Sequence, residues 1–272
     1  MITPLVGVVA GIVLVFFGLR ALEKQLIFFP PRYPSGFPPP QTYASEVEDV
    51  WLRAADGVRI NAFFHSNPTS KKALLWFHGN AENIGSGLNQ MRILVKTGVN
   101  ILAVDYRGYG KSEGKPDEAG VYQDADAAYD YLVNQRQISV QDIFIYGHSL
   151  GGAVAINVAS RRPCGGLIVQ SSFTNARAMT RRIFALPLIE YLVKSHFDSE
   201  QTIRNVHAPI LVAHGTRDDV VPFAMGQRIF AAAPEPKRFY AIEGAGHNNL
   251  LEVGGEGYVA CLQHFMAATV PH

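Results

Sequence analysis

The stretch IFIYGHSLGG, residues 143–152, decides the fold. An apolar and aromatic run, typical of a buried strand, leads directly into Gly-x-Ser-x-Gly, and the alanine-containing segment 150–161 favours a helix. This order predicts a sharp turn that raises Ser149 at the carboxyl end of a sheet. Side chains at Gly147 and Gly151 would collide with neighbouring elements. The partial positive charge of the helix N-terminus beside the serine suits a developing oxyanion.

Short apolar runs alternate with longer helical segments along most of the chain. An initial hairpin is predicted at 47–52 and 58–64, because Asp-Gly separates these two runs. Further strands are predicted at 73–77, 100–105, 143–147, 166–170, 210–214 and 238–242. Helices are predicted at 81–96, 117–136, 150–161, 223–233 and 249–266. The pattern predicts an α/β fold, with a mostly parallel sheet led by an antiparallel hairpin. Residues 173–206 contain no clear core strand and are expected to form a small helical cap.

The composition excludes several classes of protein. The chain has 24 Lys and Arg residues and 23 Asp and Glu residues, so its formal charge is +1. This charge gives no basis for nucleic-acid binding. Two cysteines cannot form a disulfide framework or a four-cysteine zinc site. The 272 residues are 48% hydrophobic, which excludes a disordered chain and suits one large α/β domain or two small ones. The sequence has no P-loop, dinucleotide-binding signature or metal-ligand spacing, so we expect neither a metal nor an organic cofactor.

The N-terminal residues have a different composition from the rest of the chain. Residues 1–19 carry no charged side chain, and a helix of that length spans about 28 Å, close to the hydrocarbon thickness of a bilayer. We predict an uncleaved membrane anchor at 1–24, with a cleaved signal peptide and a buried helix as alternatives. Because Arg20, Lys24 and Arg32 all follow the apolar run, the positive-inside rule predicts that the globular domain lies in the cytoplasm.

A proline-rich linker at 25–44 is predicted to join this anchor to a domain at 45–272. Its first part, residues 26–33, is apolar, aromatic and bounded by prolines. Two interpretations stay open for this segment. It lies at the lipid interface, or it packs on the domain.

A serine hydroxyl needs a general base, and the base needs an acid that orients it. On this kind of fold the chain order is serine, acid, histidine. Asp218 and Asp219 both follow the strand predicted at 210–214, and Asp218 is preferred because it comes first. Asp219 is expected to be solvated or to cap the next helix. His247 follows the last predicted strand in a glycine-containing loop, so it is the predicted base for Ser149.

The oxyanion hole needs two N–H donors. One is the backbone N–H of Leu150, and the other is assigned to the backbone N–H of Asn80, in the loop after the third predicted strand. His78 is expected to brace this loop. His214 is expected to be a hydrogen-bonded structural residue, and His148 to be structural with its side chain directed away from the base.

Taken together, these motifs resemble the α/β-hydrolase family of serine hydrolases. The similarity is greatest to a membrane-anchored subgroup with a minimal cap, which includes lysophospholipid lipases and protein depalmitoylases. The matching pieces are HGNA at 78–81, DYRGYGKS at 105–112, GHSLGG at 147–152, HGTRD at 214–218 and GAGH at 244–247. The resemblance implies the fold and a serine mechanism, but it specifies the substrate poorly because this fold hosts many chemistries.

We therefore expect hydrolysis of a carboxylic ester or thioester through an acyl-enzyme. A medium or long acyl chain is expected, as in a lysophospholipid, a monoacylglycerol or an acylated protein. Apolar runs at 183–189 and 191–193 in the predicted cap suit such a chain, and a membrane anchor brings the enzyme to amphiphiles. A serine peptidase or amidase on the same fold and a non-enzymatic, membrane-tethered interaction protein remain as alternatives.

Overall fold

The computed structural model describes Gly18 and residues 27–34, 36–37, 46–184 and 193–268. Except for Gly18, the predicted anchor at 1–24 lies outside these ranges, and so does part of the predicted linker at 25–44. No helix within the described ranges combines the length and the apolar character that crossing a bilayer requires.

An eight-stranded sheet runs through the centre of the domain. Its strands are β1 (Val47–Arg53), β2 (Arg59–His65), β3 (Ala73–Phe77), β4 (Asn100–Val104), β5 (Ile143–His148), β6 (Gly166–Gln170), β7 (Ile210–Gly215) and β8 (Lys237–Ile242). They lie in the order β1-β2-β4-β3-β5-β6-β7-β8. β2 pairs antiparallel with both β1 and β4, and all other neighbours are parallel. The predicted sheet with its leading antiparallel hairpin is confirmed.

Helices cover both faces of this sheet. The described ranges contain α1 (Leu88–Leu94), α2 (Glu118–Asp130), α3 (Leu150–Ala159), α4 (Ala176–Phe184), α5 (Ser199–Thr202), α6 (Phe223–Ala232) and α7 (Leu250–Ala268). The Asp117 carboxylate caps α2 by accepting a hydrogen bond from the N–H of Gly120 at 2.8 Å. α7 bends at Gly255, where φ is +49°. α4 and α5 belong to the predicted cap region, 173–206.

Each face of the sheet has its own hydrophobic core. In β3, Leu75 and Phe77 join one cluster of buried side chains, whereas Leu74 and Trp76 join the other. All four side chains are almost completely buried. Burying a large apolar side chain contributes about 1.5–3 kcal/mol, so both faces hold this strand in place. A strand buried on both faces explains the unbroken apolar run in the sequence.

The segment after β3 differs from its prediction as a helix over 81–96, because α1 begins only at Leu88. The N–H of Asn83 donates to the Ser86 hydroxyl and the N–H of Ser86 donates to the Asn83 carboxamide, both at 2.9 Å. The N–H of Ile84 donates to the Asp105 carboxylate at 2.8 Å. Such side-chain bonds to the backbone compete with helix formation and hold this segment as a loop.

The strand order determines which loops surround the end of β5. Because β3 and β6 flank β5, the loop after β3 lies beside the turn after β5. β7 and β8 lie beyond β6, so their loops approach the same turn from the opposite side. Parallel sheets place functional loops at the carboxyl ends of their strands.

Candidate active site

Ser149 joins β5 to α3 through a sharp turn, with φ of 54° and ψ of −115°. A non-glycine residue in such a conformation is strained by about 1–3 kcal/mol. A Cβ atom on Gly147 would lie 2.0 Å from the carbonyl oxygen of Gly151, and one on Gly151 would lie 2.1 Å from that of Phe77. Helix α3 can therefore pack this close to the sheet only because both positions are glycine.

The structure brings the predicted serine, base and acid into one hydrogen-bonded chain. His247 Nε2 lies 3.0 Å from the Ser149 hydroxyl, and His247 Nδ1 lies 2.8 Å from Asp218 Oδ2. The imidazole is 8% exposed, so solvent competes little for these bonds. Asp219, the other candidate acid, is exposed. The geometry favours Asp218 as the partner of His247.

The environment of Asp218 keeps its carboxylate ionised. Burial alone would raise its pKa, but hydrogen bonds from His214, His247 and the N–H of Val221 hold that pKa well below its usual range. The N–H groups of Val220 and Val221 donate to Oδ1 at 3.0 and 2.8 Å, and His214 Nε2 lies 3.3 Å from Oδ2. An ionised carboxylate only accepts hydrogen bonds, so Nδ1 of His247 donates and Nε2 is left to accept the serine proton.

His214 is more closely involved than the sequence indicates. Its Nε2 lies 2.9 Å from the carbonyl oxygen of Val221, as expected of a structural histidine, and it also contacts the Asp218 carboxylate. The motif HGTRD, residues 214–218, begins with His214 and ends with Asp218. The short separation of these two residues in the sequence was the signal that could have indicated their contact.

The two predicted oxyanion donors belong to the residue that follows Ser149 and to the loop after β3, which flanks β5 on the side away from β7 and β8. Leu150 is the first residue of α3, so its N–H has no acceptor within the helix. In the described ranges the backbone N–H of Asn80 donates to no other protein group. Asn80 is half-buried in the loop after β3.

A pair formed by the half-buried Glu82 and the buried His148 joins this loop to the predicted base. Glu82 accepts a hydrogen bond from the N–H of Gly79 at 2.9 Å, and its carboxylate lies 3.6 Å from His148 Nδ1. His148 Nε2 lies 3.0 Å from the backbone carbonyl of His247. The prediction that His148 points away from the base is therefore wrong. Sequence reasoning missed Glu82 because it placed that residue on a helix.

The charges of this pair stabilise each other. Burial alone would raise the pKa of Glu82, but His148 and the N–H of Gly79 lower it to about 2. Burial alone would lower the pKa of His148, but its contacts with Glu82 and the His247 carbonyl raise it. Both shifts favour an imidazolium beside a carboxylate.

A second buried set braces the loop after β3. His78 donates through Nδ1 to the carbonyl of Gly79 at 2.7 Å, and its Nε2 lies 3.3 Å from the Asp105 carboxylate. The hydroxyl of Tyr106 donates to the carbonyl oxygen of His78 at 2.9 Å. His78 thus braces the loop as expected.

The two cysteines take no part in this arrangement. Cys164 and Cys261 are both free, and burial raises the pKa of both thiols, that of Cys164 to about 12. Both are thus protonated at neutral pH. The described part of the chain contains no group of three or more His, Cys, Asp or Glu residues arranged to hold a metal ion.

Known proteins resemble this chain along most of its length. Residues 68–197 match the family model described as serine aminopeptidase, S33. An uncharacterised protein of Mycobacterium tuberculosis is 32% identical over 270 residues, covering 98% of this chain and 95% of the relative. The alpha/beta hydrolase domain-containing protein 17C of Mus musculus is 32% identical over 232 residues, covering 83% of this chain and 69% of the relative.

A solved structure shows a similar fold. The esterase Pf2001 of Pyrococcus furiosus superposes with a TM-score of 0.74 at 23% identity, covering 88% of this chain and 98% of that one. The chain therefore belongs to the α/β-hydrolase family, and it is a hydrolase.

Proposed function

We propose that this protein hydrolyses carboxylic esters or thioesters through an acyl-enzyme on Ser149. The observation that carries the proposal is the chain of hydrogen bonds from the Ser149 hydroxyl through His247 to the ionised Asp218. His247 takes the serine proton as the hydroxyl attacks the carbonyl carbon, and Asp218 stabilises the imidazolium. General-base catalysis of this kind contributes about 10²–10⁴-fold.

The same groups serve the remaining steps. The backbone N–H groups of Asn80 and Leu150 bind the oxyanion of each tetrahedral intermediate. The imidazolium of His247 protonates the leaving group, and the neutral imidazole then activates a water molecule that cleaves the acyl-enzyme. Every proton is moved by one histidine, so the scheme includes no step on a cofactor.

The proposed substrates carry a medium or long acyl chain, as in a lysophospholipid, a monoacylglycerol or an acylated protein. Support comes from the described part of the cap region, where Ile183 is 64% exposed beside the exposed Arg181 and Arg182. An exposed apolar side chain flanked by basic groups suits contact with an acyl chain or an anionic lipid.

A serine peptidase or amidase is the second candidate function. The description of the matching family model as serine aminopeptidase, S33, favours it. The two candidates differ in the leaving group, since an amine must be protonated before it departs. Hydrolysis of matched amides at rates near those of the esters would select this candidate.

The decisive experiment compares p-nitrophenyl esters of graded chain length, from acetate to palmitate, in detergent and in liposomes. We expect higher kcat/KM for the longer chains, and a loss of at least about 10⁴-fold in kcat for Ser149→Ala. Ser139→Ala is the matched control, because Ser139 is exposed and lies outside the site. Equal activity of Ser149→Ala and wild type would refute the mechanism, and a preference for acetate unaffected by lipid would refute the acyl-chain proposal.

We also propose that residues 1–24 anchor the protein in a membrane, with the catalytic domain in the cytoplasm. The absence of charge over residues 1–19 and the basic residues that follow them support this arrangement. A reporter fused to the C-terminus should be active in the cytoplasm only. Activity on the opposite side of the membrane would contradict the orientation, and release of the protein by salt alone would contradict the anchor.

A further inference from the structure

A segment ahead of the sheet packs on the loop that carries Asn80. We call residues 27–34 the strap. The strap lies within the predicted linker at 25–44, and it belongs to none of the strands of the central sheet. Its single β-bridge joins Arg32 to Gly110.

The side chain of Asn80 pairs with the backbone of the strap. Its Nδ2 donates to the carbonyl of Ile27 at 2.6 Å, and its Oδ1 accepts from the N–H of Phe29 at 3.1 Å. The hydroxyl of Tyr109 donates to the same Oδ1 at 2.7 Å. A carboxamide offers two donor and two acceptor positions, so three of the four are in use.

The strap is itself fixed to the domain. Phe28 is 2% exposed and packs against Phe197, with ring centroids 5.9 Å apart. The carbonyl of Pro31 accepts hydrogen bonds from the N–H of Gly110 and the side chain of Asn83, at 2.9 and 3.2 Å. These contacts make the strap a rigid support for Asn80.

Two more residues hold the far end of the strap. Arg32 donates to the carbonyl of Ser112 at 2.5 Å, and the hydroxyl of Tyr33 donates to the buried carboxylate of Asp105 at 2.6 Å. Asp105 also accepts from the loop after β3, through the N–H of Ile84. The strap and this loop are therefore held by shared partners.

An oxyanion donor works only when its N–H is held at hydrogen-bond distance from the oxygen that becomes charged. Asn80 follows Gly79, whose backbone has few steric restrictions, and its own N–H makes no bond to the described part of the chain that would hold it. The side-chain bonds to the strap restrain the same residue. They therefore restrain the direction of its N–H.

From these contacts we infer that the side chain of Asn80 is a positioning group and that the strap, through the N–H of Phe29 and the carbonyl of Ile27, sets the second oxyanion donor. This inference rests on the proposed function, because it assigns a role within the ester-cleaving step. The strap thereby becomes part of the active site, although it lies about 50 residues before Asn80 in the chain.

The sharpest test removes one backbone N–H from the full-length protein. Phe29→Pro deletes the donor to Asn80, whereas Phe29→Ala keeps that donor and deletes only the exposed ring, so the two variants are compared with each other. We expect kcat of the proline variant to be about 10- to 100-fold below that of the alanine variant, with KM within about threefold. Binding of an alkyl boronic acid, whose serine adduct carries a negative oxygen, should weaken in parallel with kcat.

Asn80→Ala and Tyr109→Phe extend the test without altering the strap backbone. Asn80→Ala removes all three bonds and should lose at least as much activity as the proline variant. Tyr109→Phe removes the one bond that does not involve the strap and should lose less activity than the proline variant. Equal kcat in Phe29→Pro and Phe29→Ala, or a fall in kcat without weaker boronic acid binding, would overturn the inference. Ser149→Ala in the same assay separates the two proposals, because undiminished activity in that variant refutes the proposed function rather than the role of the strap.

Discussion

The two sides of Ser149 differ in the kind of group that faces it: side chains on one side and backbone N–H groups on the other. On the base side the proposed functional groups are side chains, the imidazole of His247 and the carboxylate of Asp218. Four N–H groups, from β7 and from the loops after β7 and β8, lie close to that carboxylate.

On the oxyanion side the proposed functional groups are the backbone N–H groups of Asn80 and Leu150. By the inference above, the position of the Asn80 N–H depends on the bonds between the Asn80 side chain and the strap. Glu82 binds the N–H of the preceding residue, Gly79.

The two sides therefore differ in how a substitution affects their functional groups. A base or an acid is lost when its own residue is replaced. A backbone N–H survives every substitution except proline, so it is disturbed through the contacts that hold it. We therefore expect large effects at the base side from changes to the site residues themselves, and smaller effects at the oxyanion side from changes at a distance.

The largest effect that tests this contrast is expected at the acid. Asp218→Asn keeps the shape of the side chain but removes its charge, so the imidazolium loses its stabilising partner and the Nδ1 tautomer is no longer enforced. We expect kcat to fall by about 10⁴-fold, measured as steady-state ester hydrolysis.

Asp219→Asn is the matched control for this variant, because Asp219 is the adjacent, exposed carboxylate. It should keep nearly all of the wild-type kcat. The reverse ranking of the two variants would assign the acid to Asp219 and would contradict the role proposed for Asp218.

The strap variants should come next, with the 10- to 100-fold loss in kcat expected above. If Phe29→Pro lowered kcat as far as Asp218→Asn, the backbone side would be no more tolerant than the side-chain side. The contrast would then fail even though both sides were functional.

The smallest effect is expected at Glu82, and it depends on pH. The pKa of Glu82 is lowered from 4.5 to about 2, so its pairing with His148 stabilises the fold above pH 4.5 and is lost as the pH falls toward 2. The pKa of His148 is raised, so the same pairing is complete below 6.5 and is lost as the pH rises through the higher value in the folded protein. Glu82→Gln should therefore lower the free energy of unfolding by about 2 kcal/mol between these limits, and by less above them.

Chemical denaturation at several pH values checks this prediction, with the exposed Glu243→Gln as the control. A constant difference between wild type and Glu82→Gln across the neutral range would show that the Glu82–His148 contact carries no net charge pairing.

The parts of the molecule that could be predicted from the sequence are those that depend on local motifs and on side chains. The strands and the chemistry-bearing side chains Ser149, His247 and Asp218 could be identified from local motifs, because each motif carries its own reason for its residue types. The roles of those three residues stay predictions until activity is measured. The start of α1 at Leu88 was not predictable from the apolar pattern, because Asn83 and Ser86 hold the preceding loop through side-chain bonds.

Long-range contacts account for what the sequence could not indicate. Only the folded chain shows that Asn80 pairs with the strap, and that His148 reaches the backbone of His247 instead of pointing away. Both contacts join a side chain to a backbone group far away in sequence. Such a partner has no residue-type signature, since any residue offers the same carbonyl.

We propose that Ser149 is made nucleophilic by the chain of hydrogen bonds through His247 to Asp218. Treatment of the intact protein with a fluorophosphonate, followed by mass spectrometry of its peptides, tests this claim most directly. We expect one adduct, on the peptide that contains Ser149, formed rapidly in wild type and absent in the correctly folded Ser149→Ala variant. An adduct on another residue, or undiminished labelling of Ser149→Ala, would contradict it.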